Sequence, residues 1–269
     1  MRSKGAGGAR TRQASPRALA IAGGVVLIAA IAVVLGVVLS GGGSGGGVVS
    51  PSDIKGLPRI GSQNWPGALA GSSEANDLFK GIPQHGLTLG NPKAKVEMEM
   101  FIDVQCPFCQ DYETTKLPTV VRRYIKTGKV QLHLKPWAFL GSQSFTGRDA
   151  LIAASFQNKG FEYAKVLYDN QLKENTGWLD GKEMAAIAAS VTGLNLAQWQ
   201  ADTDSSAPKS VTSQVDALAN QLRNKGILTG TPTILVGPTN GKLNLVGTPG
   251  FEATLQETTQ ALDAALANA

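Results

Sequence analysis

The longest apolar run of the chain spans 18–39 and holds no charged or strongly polar side chain. A run of that length crosses a bilayer as a helix. It follows Arg2, Lys4, Arg10, Arg12 and Arg17, which favour a cytoplasmic N-terminus. The expected layout is a basic head over 1–17, then a single transmembrane anchor over 18–39. The run exceeds the usual apolar region of a secretory signal, which favours an uncleaved anchor over a cleaved one. Everything after it is then extracytoplasmic. Gly41 to Gly47, broken only by Ser44, opens a stretch rich in Gly, Pro, Ser and Asn. It reads as a flexible linker over 40–80, with a short helix near 74–79.

Beyond the linker the periodicity changes. Strands are expected at 96–104, 129–135, 233–236 and 243–246. In the first, Met98, Met100 and Ile102 share one parity; Glu97, Glu99 and Asp103 share the other. A helix opens at Cys106, and Pro118 inside it predicts a kink. Residues 147–223 are alanine-rich with helical spacing, in pieces at 149–158, 162–172, 181–191 and 207–224. Asn195 opens a short capped helix through Trp199. Trp178 and Trp199 read as core or interface aromatics. Thr239-Asn240-Gly241 marks a hairpin turn between the last two strands, and 251–268 closes the chain as a helix. The class is α/β, with a large helical insertion at about 147–223.

Charge alters this picture little. The formal net charge is +5, but removing the five basic residues of the head leaves 20 basic against 20 acidic residues. The excess belongs to the head, so no nucleic-acid surface is expected.

The chemistry concentrates at Cys106-Pro107-Phe108-Cys109, which contains both cysteines of the chain. Such a pair is a redox dithiol or half of a zinc site. A closed zinc site needs four ligands, and only His85 and His133 could complete it. Their spacing is poor, so no metal is expected. A cysteine at a helix start meets free amide groups and the positive end of the dipole, which stabilise its thiolate. Cys106 is therefore the expected attacker and Cys109 the resolver. A tethered metal-binding or metallochaperone module remains the alternative from a different class.

Far downstream stands Gly230-Thr231-Pro232-Thr233, ahead of the apolar Ile234-Leu235-Val236. A strand, Cys-Pro-Phe-Cys, a helix and a distant Thr-Pro together resemble the thioredoxin superfamily. The long stretch between Cys109 and Pro232 is similar to the DsbA-like branch, and closest to its membrane-anchored bacterial members. Gly81-Ile82-Pro83-Gln84 and Leu89-Gly90-Asn91-Pro92 add to the likeness, which covers 81–269. The resemblance implies a thioredoxin-like fold with a helical insertion between the dithiol half and the cis-proline half. It implies catalytic roles for Cys106, Cys109 and Pro232, and substrate contacts from Pro107, Phe108 and Thr231. It implies no cofactor beyond a redox-active Cys106–Cys109 disulfide. Expected partners are exported proteins with cysteine pairs and a membrane redox partner of DsbB or vitamin K epoxide reductase type. Disulfide formation is the leading activity; reduction or isomerisation by the same fold is the alternative. One departure stands out. The family often places an acid six residues before the attacking cysteine, and Met100 occupies that position. Either that relay is absent, or a bulge turns Glu99 into the site.

Overall fold

The structure, a computed structural model, describes residues 48–269. The expected head, the anchor and the first part of the linker lie outside the described residues. Among those described, no helix is long and apolar enough to cross a membrane.

Among the described residues, six strands form one sheet in the order β1-β2-β4-β3-β5-β6. They are β1 (Gln84–His85), β2 (Thr88–Leu89), β3 (Val96–Ile102), β4 (Val130–Pro136), β5 (Thr233–Pro238) and β6 (Asn244–Leu245). β3 is the axis. It runs parallel to β4, with Val96 opposite Val130, and antiparallel to β5, with Val96 opposite Pro238. Val96, Met98, Met100 and Ile102 enter the main core. Phe101 points the other way and joins a second core with Leu235, Val215, Ala219 and Leu222. The expected hairpin follows β5: Gly241 N–H donates to the Pro238 carbonyl at 2.8 Å, with Asn240 left-handed at φ 60°.

The helix after the cysteines is built in pieces. α2 (Pro107–Asp111) leads into a π-helical turn over Tyr112–Lys116, then α3 (Leu117–Val120) and a second wide turn, Val121–Ile125. Pro118 has no amide to continue the ladder. The chain meets this with a wide turn in which Leu117 N–H bonds the Tyr112 carbonyl. The expected kink is thus a π-bulge.

The insertion comprises α4 (Ser142–Phe156), α5 (Gly160–Asp169), α6 (Gly181–Ser190), α7 (Leu196–Thr203) and α8 (Ala207–Asn224). It begins a few residues before the expected boundary. Asn195 caps α7 by accepting from Gln198 N–H at 3.1 Å. Trp199 is fully buried, and its Nε1 donates to the Ala150 carbonyl at 2.9 Å. The closing helix α9 spans Leu255–Ala267 and starts later than expected. A capping box explains the shift: Thr254 Oγ1 accepts from Glu257 N–H, and the Glu257 carboxylate accepts from Thr254 N–H.

The linker expectation is corrected for residues 48–80. Val49 is fully buried, and its carbonyl accepts from Gln200 Nε2 at 2.9 Å. Gly61 N–H donates to the Leu194 carbonyl at 2.8 Å, and Leu69 N–H to Ser190 Oγ at 2.9 Å. A further helix, Ser72–Phe79, which we number α1, buries Ala75, Leu78 and Phe79. The Phe79 ring lies 6.0 Å from that of Phe161. The segment is a strap over the insertion. It packs through backbone contact, which leaves no apolar period in the sequence. Its glycines permit close approach: a Cβ on Gly61 would meet the Val191 carbonyl oxygen at 2.2 Å. Gly61→Ala should therefore destabilise the fold by about 1–3 kcal/mol, the range for overpacking. Urea unfolding of the two proteins checks this, and an unchanged midpoint would show that the strap is not seated.

Candidate active site

β3 ends at Ile102, and the loop of Asp103, Val104 and Gln105 delivers Cys106 to the start of α2. Cys106 is the N-cap residue, with an extended backbone, and Pro107 opens the first turn, where its missing amide costs nothing. Both cysteines are free and buried. The Thr231–Pro232 peptide is cis and lies beside them. The Cys106 sulfur sits 3.1 Å from the Thr231 carbonyl oxygen, a contact across 125 positions of chain. Thr233 Oγ1 closes this turn by donating to the Gly230 carbonyl at 2.7 Å.

The two thiols are held at opposite ends of the titration scale. The pKa of Cys106 is lowered from 9.0 to about 7. The largest cause is the hydrogen bond from Cys109; burial opposes it. The Thr231 hydroxyl and the amides of Cys109 and Phe108 add to the lowering. That hydroxyl is buried and otherwise unpartnered among the described residues. Cys109 moves the other way, well above its ordinary value, first through burial and then through the hydrogen bond and charge of Cys106. The Cys106 thiolate can attack a disulfide, while Cys109 holds its proton.

A carboxylate anchors the loop. Asp103 Oδ1 accepts from Gln105 N–H at 2.9 Å and from Ser144 Oγ at 2.7 Å. Its Oδ2 accepts from the amides of Phe139 and Leu140 at 2.8 and 3.1 Å. Insertion side chains take up the loop carbonyls: the Tyr168 hydroxyl donates to Asp103 O at 3.0 Å, and Gln171 Nε2 to Gln105 O at 2.8 Å.

Beside the dithiol runs a groove of about 380 Å³, lined by Phe108, Thr231, Pro232, Phe251 and Glu252 among others. Phe108 is 61 % exposed and Phe251 is 73 % exposed, an unusual state for two large aromatics on one groove. An extended, partly apolar peptide fits such a surface.

A sequence profile described as "Thioredoxin" matches residues 83–247. The chain belongs to this thioredoxin family. Proteins named "Probable disulfide bond formation protein D" are similar to it. The one from Bacillus cereus is 27 % identical over 183 residues, covering 67 % of this chain and 79 % of that protein. The one from Bacillus anthracis is 26 % identical over the same length. Among solved structures, a thioredoxin-like oxidoreductase from Silicibacter pomeroyi shares 26 % identity at a TM-score of 0.54, covering 72 % of this chain and 98 % of that one. Oxidised BdbD from Bacillus subtilis, at 19 % identity and a TM-score of 0.58, covers 69 % of this chain and 97 % of that one and shows the fold alone. This thioredoxin-family chain is a thiol–disulfide oxidoreductase with a DsbA-like fold.

Within the thioredoxin frame the position six residues before Cys106 is settled. Met100 is fully buried and pairs in unbroken register with Leu134 and Ile234. No bulge turns Glu99 inward; it faces the other side of the sheet and pairs with Lys135 at 3.0 Å. His133, on β4, is half-buried. Its Nδ1 lies 3.0 Å from Thr88 Oγ1, and its pKa falls to about 4, first through burial and then through Lys135.

Several site residues escaped the sequence reading. Phe251 and Glu252 reach the groove only through the β6–α9 loop. Asp103 was grouped with Glu97 and Glu99 by parity and given no role at the site, although its position three residues before the dithiol could have marked it. Glu113, four residues after Cys109, is an acid within a buried helix face, which was a usable signal. Alkylation of reduced protein should show one reactive thiol, Cys106, with a rate that rises through a midpoint near pH 7. Cys109 should stay unreactive until far higher pH. Mass spectrometry of iodoacetamide-treated protein reads both profiles, and equal reactivity would refute the asymmetry.

Proposed function

We propose that this oxidoreductase forms disulfides in exported proteins by exchange at Cys106 and Cys109. The pairing of a low-pKa Cys106 with a buried Cys109 beside the cis-proline turn carries this reading. A substrate thiolate attacks the Cys106 sulfur of the oxidised pair, and Cys109 leaves. The second substrate thiol then attacks the mixed disulfide, and Cys106 leaves as a stabilised thiolate. Phe108 forms the near wall of the groove, with Pro107 exposed next to it in the chain; Thr231 and Pro232 present the opposite backbone to the substrate. Formation rather than reduction is supported by the likeness to the disulfide bond formation proteins of Bacillus.

One observation favours reduction or isomerisation as a second reading. A Cys106 pKa of about 7 matches thioredoxin, for which ~7 is typical, better than DsbA, for which ~3.5 is typical. The reduction potential separates the two. A value near about −120 mV supports the oxidase and one near about −270 mV supports the reductase. In the same assay Cys109→Ala should accumulate mixed disulfides with a model dithiol, and Cys106→Ala should form none. The reverse pattern would exchange the roles of attacker and resolver.

The location belongs to this proposal. The 18–39 run behind five basic residues supports an anchor with the domain outside and a membrane redox partner of DsbB or vitamin K epoxide reductase type. A pair of cysteines with no others in the chain suits a dithiol that cycles without self-trapping. In intact cells Cys106 should react with a membrane-impermeant maleimide. Labelling only after lysis would place the domain inside.

A further inference from the structure

Buried Cys109 is a poor leaving group as a bare thiolate, because its pKa lies well above the ordinary thiol value. Exchange therefore needs an acid near it, and the strand position that could supply one holds Met100. The helix supplies another. Glu113 lies four residues after Cys109, as the second residue of the π-helical turn Tyr112–Lys116. Side chains at that spacing share a helix face, with Cβ atoms roughly 5–6 Å apart. Glu113 is only 2 % exposed. Among the described residues no hydrogen bond or ion pair holds its carboxyl. The nearest cation, Lys165 on α5, is engaged by both Asp169 oxygens at 2.5 and 2.6 Å and reaches Glu74 on α1 at 3.6 Å. Tyr168, fully buried on α5, donates to the Asp103 carbonyl at 3.0 Å, and its pKa is raised first by burial and then by the charges of Cys109, Glu113, Asp103 and Cys106.

We infer that Glu113 is the proton donor and acceptor for Cys109 during exchange. This deepens the proposed reading and rests on Cys106 being the sulfur that substrate attacks. In the first step the substrate sulfur bonds Cys106 and the Cys106–Cys109 bond breaks. Its electron pair moves to Cys109, which takes the proton of the Glu113 carboxyl and leaves a carboxylate. In the reverse direction Cys109 returns that proton to Glu113 as it attacks Cys106. Burial suits the carboxyl to this work. It raises the pKa from 4.5 to about 8, against a smaller lowering by Lys165 and with a further push from Asp169. The acid is therefore protonated at neutral pH and can be regenerated there. The charged and titratable groups around it are Lys165 and Asp169 on α5, Glu74 beyond them on α1, and Tyr112 and Tyr168, with Cys109 one turn before it in the chain.

The test follows mixed-disulfide formation between oxidised protein and glutathione by mass spectrometry across a pH series. Each rate is divided by the thiolate fraction of glutathione. The wild-type rate should fall as pH rises through about 8, where Glu113 loses its proton. Glu113→Gln keeps the shape and removes the proton. It should be at least about tenfold slower at neutral pH and show no such fall, while Cys106 alkylation in the reduced protein stays unchanged. Glu113→Asp should recover part of the rate. Unfolding cannot mimic this. The raised pKa means the folded protein holds a proton that the unfolded chain releases, so stability drops as pH rises from about 4.5 to about 8. Glu113→Gln removes that loss and should melt higher than wild type at pH 8. Wild-type rates and slope in Glu113→Gln would overturn the inference. So would a wild-type profile with no fall near pH 8. If wild type forms no mixed disulfide on Cys106 at all, the proposed function falls with it.

Discussion

Four donors converge on the carboxylate of Asp103, which is almost completely buried. A buried charge is tolerated only when its lone pairs are fully used, and here they are. The donors come from the loop itself, from the chain leaving β4 and from the start of α4. One side chain thus ties the sheet, the insertion and the dithiol loop together. Removing it would leave the amides of Phe139 and Leu140 buried without an acceptor, a penalty of about 1–3 kcal/mol for each group. The position of Cys106 depends on this knot, because Cys106 N–H donates to the Asp103 carbonyl at 2.9 Å.

From that fixed position the chemistry follows by electrostatics. Cys106 stands where its neighbour's thiol, helix amides and a hydroxyl meet its sulfur; Cys109 stands one turn deeper, where burial and the charge of Cys106 both resist ionisation and outweigh the lowering by Thr231 and the Asp103 backbone. A single motif therefore yields one thiol that ionises easily and one that resists ionisation. The groove lies on the side of the reactive thiol, between two exposed aromatic rings. Cys106 keeps 4 % of its surface exposed and Cys109 none.

The insertion does more than enlarge the domain. α5 brings Tyr168, Lys165 and Asp169 behind the dithiol helix, and the loop after it brings Gln171 to the loop carbonyls. The strap over 48–80 holds α6 and α7 from outside. Glu113 lies where α5 meets the dithiol helix, and its neutral form suits a site with no free cation among the described residues.

Much of this was legible in the chain. The strand before the cysteines, the helix they open, the helical insertion, the capped start at Asn195 and the turn at Asn240-Gly241 all rest on periods and caps within a few residues. Such signals survive in a bare sequence because the contacts that cause them are local. The strap did not show itself. Its Gly, Pro and Ser residues look like a tether, yet Gly61 is glycine because a carbonyl oxygen sits where its side chain would be. The placement of Asp103 and the entry of Phe251 into the groove were equally hidden. Each depends on a partner far along the chain, as Cys106 depends on Thr231. Sequence alone determined which residues could do redox chemistry and on which elements they ride. The helix start already marked Cys106 as the sulfur that ionises; tertiary structure set the two thiols further apart, because the burial that raises Cys109 does not exist until distant segments meet.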